Sequence, residues 1–363
     1  MKNSVRMDYI KIKGYKSFKN LELKLNKINI LIGANGSGKS NFLSFFELLN
    51  ALYEQKLREY ISLNGGTHRF LYKGIKVTDS IFAKIRSGRN RYAFELKEGD
   101  GSFVFTQENL GYTSATGYYD DDIDISSFGY EANIKTYQGA ARGDYIKSYL
   151  SEIKKYHFHD TGKTSPFTQT WNVENDGLIL YSQGGNLAPF LFQIRNKYPM
   201  VYQRILMAIR SVAPYFSDFY LVPSENATIR LQWMDKYSEN IYGPTDFSDG
   251  TIRFIALVTL FLQPNPPEVI IIDEPELGLH PVAINKLSGL IKSVALRGTQ
   301  VIIATQSADL VSDFDAKDIV TVNQVDGETK MERLKTADLS NWLDSYTIGD
   351  LWKQNILKGG QPQ

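Results

Sequence analysis

The sequence predicts an α/β fold: buried strands and amphipathic helices at both ends of the chain, an antiparallel β layer, and an inserted mixed or helical subdomain. Three observations predict it. The apolar run Ile28-Asn-Ile-Leu-Ile32 passes through a glycine-rich turn, Gly33–Gly38, into a long amphipathic stretch. In the last third, the β-branched runs Val269–Ile272 and Gln300–Thr305 alternate with helical stretches. Residues 110–175, rich in Tyr, Gly and Asp, have no clear periodicity.

Taken in order, residues 8–13 alternate as a strand does, and residues 21–32 end in the first apolar run. The amphipathic stretch reads as a helix from Lys39 to about Tyr60, closed by Asn64-Gly65-Gly66. From about Thr78 to Phe105, short alternating segments with turns at Gly88 and at Glu98–Gly101 predict the antiparallel layer. Residues 187–212 have helical spacing, and Phe216–Gln232 returns to strands. Ser248 opens a helix, Val269–Ile272 is a strand, and Pro281 to Gly298 frames another helix with Pro at its first position and Gly past its end. Gln300–Thr305 is a strand, Asp326-Gly327 centres a hairpin, and the tail is helical. The expectation is one domain of three lobes, residues 1–110, 111–240 and 241–363.

Composition narrows the function classes. Lys and Arg number 41 against 40 Asp and Glu, so no global field attracts nucleic acid or membrane, and DNA contact requires a local patch. There is no Cys, which removes disulfides and Cys-ligated zinc. The N-terminal stretch has no secretory h-region, and the apolar run Ile252–Leu262 is too short to cross a bilayer. The expected location is cytoplasmic, with no membrane partner. The acidic run Tyr119–Asp124 reads as a solvated loop rather than a metal cluster. His157 and His159 share a face if their segment is a strand, where packed histidines are commoner than a metal pair.

Gly33-Ala-Asn-Gly-Ser-Gly-Lys-Ser40 matches G-x-x-x-x-G-K-[ST] between an apolar strand and a helix, the context a P-loop requires. Glycines there let successive N–H groups converge on a phosphate, and the helix terminus adds a favourable dipole. Asn35, Gly36, Ser37, Gly38 and Asn41 belong to this cradle with Lys39, which neutralises β/γ oxygens, and Ser40, a Mg2+ ligand. Val269-Ile-Ile-Ile-Asp-Glu274 supplies the complementary carboxylates: Asp273 for Mg2+ and Glu274 to polarise the attacking water. The cofactors expected are ATP and Mg2+.

With these motifs, the chain resembles the ABC-type ATPases of the SMC, RecF and OLD-like branch. The resemblance is carried by Ile12-Lys-Gly-Tyr-Lys-Ser-Phe18, the cradle, Phe247-Ser-Asp-Gly-Thr251, Ile272-Asp-Glu-Pro-Glu-Leu-Gly-Leu-His-Pro281 and Ala304-Thr-Gln-Ser307. It implies that Ser248, Asp249 and Gly250 form a signature turn capping the γ-phosphate held by a partner copy, so that the site is completed by dimerisation. It also implies a basic contact near the phosphates from Lys16, a loop Leu277–His280 between the two sites, and a γ-phosphate contact from Gln306. Many relatives have His at the Gln306 position. Gln can hydrogen-bond but cannot titrate. A second glutamine of the family has three candidates here, Gln138, Gln169 and Gln183.

Neither sustained heptads nor Cys-x-x-Cys is present, which separates the chain from SMC and hook proteins. Residues 307–363 are too few for a TOPRIM nuclease domain, so the resemblance is to stand-alone OLD-like bacterial ATPases, whose C-terminal segment the stretch "YTIGDLWKQNILKGG" is similar to. The expected role is a dimeric or higher-order ATPase acting as sensor and scaffold for a separately encoded nuclease or toxin in anti-phage defence. A RecF-like repair ATPase that binds DNA directly, and a slow regulatory ATP-binding protein, are the alternatives.

Overall fold

The computed structural model describes residues 6–116, 120–139, 141–343 and 345–357. The first residues of the N-terminal stretch, Tyr119 of the acidic run, and Asp344 and the last six residues of the tail lie outside the described residues. Two six-stranded sheets organise the chain.

The central sheet has Ile28–Ile32 paired in parallel with Gln300–Thr305 on one side and Ile319–Val325 on the other. Val269–Asp273 follows beyond Gln300–Thr305, and Ile153–Tyr156 completes that edge, both parallel. Glu328–Arg333 pairs antiparallel with Ile319–Val325 and closes the opposite edge. Side chains of a strand alternate between faces, so each run serves two cores. Leu31, Ile271 and Ile302 pack against the helix Lys39–Tyr53 and the second sheet, whereas Ile30, Ile32, Ile270 and Ile303 pack under the helices Asp249–Leu262 and Pro281–Leu296. Fully burying each such side chain contributes about 2 kcal/mol, which explains why the three inner strands Ile28–Ile32, Val269–Asp273 and Gln300–Thr305 are so rich in Ile, Val and Leu.

The second sheet is antiparallel, ordered Phe18–Lys24, Tyr9–Tyr15, Ser80–Ser87, Asn90–Gly99, Ser102–Thr113, Asp120–Asp124. Its inner face, with Ile10, Ile12, Ile81, Ala83, Tyr92 and Phe94, covers the Lys39–Tyr53 helix, which is therefore sandwiched between the sheets.

Several sequence expectations are corrected. The helix from Lys39 does not reach Tyr60. It ends at Tyr53, where Gln55 adopts φ +58 and Lys56 N donates to Ala51 O (2.9 Å), a left-handed cap. A separate helix, Leu57–Leu63, follows. The helical stretch 187–212 is two helices, Leu187–Lys197 and Pro199–Arg210. The break falls at Pro199, which has no N–H to continue the first ladder.

Within the acidic run, Asp120–Asp124 is an edge strand, not a loop. Asp120 and Asp122 share one face, and both pair with Arg91, at 3.0 Å for Asp122. Asp121 on the other face pairs with Arg142 at 2.9 Å. Alternation thus divides the charge run between two faces, each with an arginine against it. The hairpin at Asp326-Gly327 has Val325 opposite Glu328 and positive φ at both turn residues (52° and 74°), the two-residue turn that Asp-Gly favours. Residues 110–175, where periodicity is weak, supply the helix Ala141–Ser151 and the edge strand Ile153–Tyr156.

Candidate functional site

The cradle lies where Ile28–Ile32 ends. Gly36 (φ +75) and Gly38 (φ +109) take conformations that an L-side chain rarely adopts, and a Cβ on Gly38 would sit 2.2 Å from Thr329 Oγ1. Thr329 comes from the closing strand of the Asp326-Gly327 hairpin and donates to Ser37 O (2.8 Å). Its Oγ1 also lies 2.8 Å from Ser17 Oγ, which accepts from Asn41 Nδ2 (2.9 Å). The cradle is thus braced from a strand nearly 300 residues away; Ser17 lies within the Ile12–Phe18 motif without a role read for it, and Thr329 lies in none of the motifs. Gly38→Ala is expected to abolish high-affinity nucleotide binding with the rest of the fold intact, read by nucleotide titration and circular dichroism.

Asn35, Gly36 and Ser40 are exposed at the mouth, while Ser37 and Lys39 are buried. Lys39 Nζ donates to Gly33 O (2.7 Å) and Ala34 O (3.0 Å). Burial lowers the pKa of this ammonium, and the carboxylates of Glu274, Asp273 and Glu276 oppose that shift. Ser40 Oγ donates to Asp273 Oδ2 (3.1 Å), so the cradle and the end of Val269–Asp273 meet directly. A hydroxyl and a carboxylate at this separation form a hard oxygen donor pair, which suits Mg2+.

Glu274 turns away from the strand at φ +44, an uncommon conformation for a non-glycine residue, fixed by Glu274 N donating to Ala304 O (2.8 Å). Its Oε1 accepts from Gln306 Nε2. Glu276, nearly buried, accepts from Thr305 Oγ1 (2.5 Å) and Gln306 N (3.3 Å), and burial raises its pKa. Lys39, Ser40, Asp273, Glu274 and Gln306, which are scattered in sequence, therefore converge. Lys16 (φ +47) stands beside this group: its Nζ donates to Ser44 Oγ (2.8 Å), one turn along the helix from Ser40, and lies 5.3 Å from the Phe70 ring centre.

The Ser248 turn is prepared separately. Trp233 stacks on Phe247 (centroids 4.3 Å, 15°) and donates Nε1–H to Gly243 O (2.9 Å), which fixes the approach to the helix. Ser248 Oγ caps the helix by accepting from Thr251 N (3.2 Å). Asp249 Oδ1 accepts from Thr161 Oγ1 (2.7 Å), and a Cβ on Gly250 would lie 2.2 Å from Gly278 O. Arg253 Nη1 donates to Leu277 O and Nη2 to His159 O, both 2.9 Å. Among the described residues none of these partners belongs to the cradle of the same chain. Ser248→Ala is expected to cost about 1 kcal/mol through the lost cap, measured by denaturant melts without nucleotide.

The sequence reading put His157 and His159 on one face if their segment is a strand, with packed histidines favoured over a metal pair. The edge strand Ile153–Tyr156 delivers them beside Asp273, where His159 Nε2 donates to Asp273 O (3.0 Å). Burial, then the neighbouring His159 and Lys155, lower the pKa of His157. Gln138, Gln169 and Gln183 have no bond to Asp273 among the described residues, whereas His159 reaches its backbone carbonyl. The strand ends at Tyr156, before both histidines, and their rings lie 4.3 Å apart.

A mostly parallel sheet with a phosphate cradle, paired acidic residues at the end of the next strand but one, and an antiparallel β layer define a P-loop ATPase of the SMC, OLD and ABC branch. The chain belongs to the family described as "AAA domain, putative AbiEii toxin, Type IV TA system", which matches residues 28–313. The Old nuclease of Escherichia phage P2 is similar at 22% identity over 365 aligned positions, covering 88% of this chain and 59% of that relative. The chain thus spans about three-fifths of the length of this relative. The energy-coupling factor transporter ATP-binding protein EcfA2 of Streptococcus thermophilus is 31% identical over 71 residues, 20% of this chain and 25% of that one. Among solved structures, an SmcHead bound to the C-winged helix domain of ScpA superposes with a TM-score of 0.57 at 16% identity, covering 92% of this chain and 99% of that one. The Smc head with an extended coiled coil from Pyrococcus furiosus reaches 0.54 at 15% identity, covering 93% and 98%. At that identity the likeness is one of fold. Membership in this family implies nucleotide binding. Among the described residues, no helix is long and apolar enough to cross a membrane.

Proposed function

We propose that the chain binds ATP with Mg2+ and hydrolyses it in a dimer in which the Ser248 turn of each copy closes over the cradle of the other. The observation carrying this reading is the convergence of Lys39, Ser40, Asp273, Glu274 and Gln306. Backbone N–H groups of residues 36–40 would receive the β-phosphate, and Lys39 would exchange its two cradle carbonyls for β/γ oxygens. Ser40 and Asp273 would hold Mg2+, which adds positive charge beside the phosphates when bound. Glu274 then orients a water and accepts its proton as the oxygen bonds to the γ-phosphorus and the bridging bond to ADP breaks. Gln306 keeps Glu274 on that line through a neutral donor.

The exposed cap at Ser248, Asp249 and Gly250 supports the two-copy site, because its helix terminus offers N–H groups to an anion and faces no cradle of its own chain. Ser248→Arg is expected to block ATP-driven dimerisation while sparing binding by the monomer, measured by sedimentation with and without ATP. Persistent ATP-dependent mass change in this variant would refute the shared site.

The further reading is a sensor and scaffold for a separately encoded nuclease or toxin in bacterial anti-phage defence, operating in the cytoplasm. Similarity to a phage nuclease, and a family description that includes a toxin–antitoxin system, support it. Tagged Glu274→Gln, purified natively with Mg-ATP and analysed by mass spectrometry, tests it. A stoichiometric small nuclease-like or toxin-like protein is expected. Recovery of the chain alone, or of the chain with DNA, would replace this reading with a RecF-like clamp.

A further inference from the structure

The C-terminal stretch Thr347–Leu357 has a place in the site that the motifs do not explain. Gln306 is followed at once by the short helix Ala308–Ser312, begun by Ser307, whose Oγ accepts from Leu310 N (3.2 Å). The C-terminal helix Ile348–Lys353 lies directly on it. A Cβ on Gly349 would stand 2.1 Å from Ala308 O and 2.2 Å from Ser312 Oγ, a backbone approach that only glycine permits. Thr347 Oγ1 is 3.0 Å from Ser312 Oγ, and Lys353 Nζ donates to Asp309 Oδ1 (3.0 Å). Ile348, Leu351 and Leu357 are buried in the same core as Leu310 and Val311.

The helix is closed at both ends. Thr347 and Asp350 form a reciprocal capping box. At the far end Asn355 takes φ +56 and Ile356 N donates to Leu351 O (3.0 Å). Trp352, Lys353 and Asn355 then face Gly33–Asn35 and Gln306–Asp309 across a cleft of about 470 Å³ at the cradle mouth. On one side of Gln306, Thr305 and the Gln306 amide are held by Glu276, and Ser307 N donates back to Thr305 Oγ1 (2.9 Å). The opposite side is held by the helix against which the tail packs.

We propose that Thr347–Leu357 is a positioning element for hydrolysis: by clamping the Ala308–Ser312 helix it keeps Gln306 on Glu274. This rests on the ATPase reading above. Leu351 touches no reacting atom, so its role is to hold Gln306 through the intervening helix.

The test is a double-mutant cycle with steady-state hydrolysis and nucleotide titration. Leu351→Ala is expected to reduce kcat on the order of a hundredfold, the size of effect reached when a positioned group shifts by about 1 Å, with the Kd for ATP unchanged within about twofold. Leu351→Met, which keeps the packing volume, should restore most of the rate. In a Gln306→Ala background, Leu351→Ala should add nothing. Lys353→Met, which cuts the exposed tie to Asp309 without opening the core, should lower kcat in the same sense if Leu351→Ala fails to fold. Full kcat in the foldable variants overturns the proposal, as does a loss that multiplies with Gln306→Ala. Absence of hydrolysis in the unmodified protein instead overturns the ATPase reading, which separates the two failures.

Discussion

Replacing Glu274 by Gln is expected to leave ATP binding within about twofold and to slow single-turnover hydrolysis by roughly 10³-fold. The substitution preserves shape and keeps an oxygen for the Gln306 amide, whose Nε2 donates to Glu274 Oε1. It removes the basic carboxylate that would take the proton of the attacking water. Rapid-quench measurement with radiolabelled ATP, beside titration with a fluorescent analogue, separates the two effects. Turnover at the unmodified rate would assign water activation to another residue.

Lys39→Ala is expected to weaken ATP binding by about 3 kcal/mol, roughly a hundredfold or more in Kd. The ammonium is held below its ordinary pKa by burial and faces three carboxylates. Without it those carboxylates repel the incoming phosphates with no ammonium to offset them. Isothermal titration checks this, and unchanged affinity would remove the cradle from the nucleotide site.

Much of the fold was legible because each decisive signal was local. Val269–Ile272 reads as a strand from β-branching alone, Asp326-Gly327 reads as a hairpin because both positions need positive φ, and Ser248 reads as a cap. The errors occurred where local patterns were ambiguous. The helix break at Gln55 was hidden because no Gly or Pro marks it, and a Gln in the left-handed region is held there by its surroundings. The acidic run looked solvated because its countercharges, Arg91 and Arg142, lie on other elements.

For the candidate site the same division holds. The sequence alone determined the donor set: a glycine-rich turn that lets N–H groups converge, a lysine and a hydroxyl at its end, two carboxylates after a buried strand, and a capped helix with an anion-suited terminus. These depend on backbone conformation and side-chain chemistry within a few residues, so spacing suffices to find them. Only the tertiary structure decided which distant groups support them. It brought Thr329 and Ser17 to the cradle, aimed Lys16 at Ser44, set His159 on Asp273, and laid Gly349 against the helix behind Gln306. Those choices follow from strand order and from the packing of elements far apart in the chain, where contacts depend on three-dimensional proximity and leave no periodic trace in the sequence.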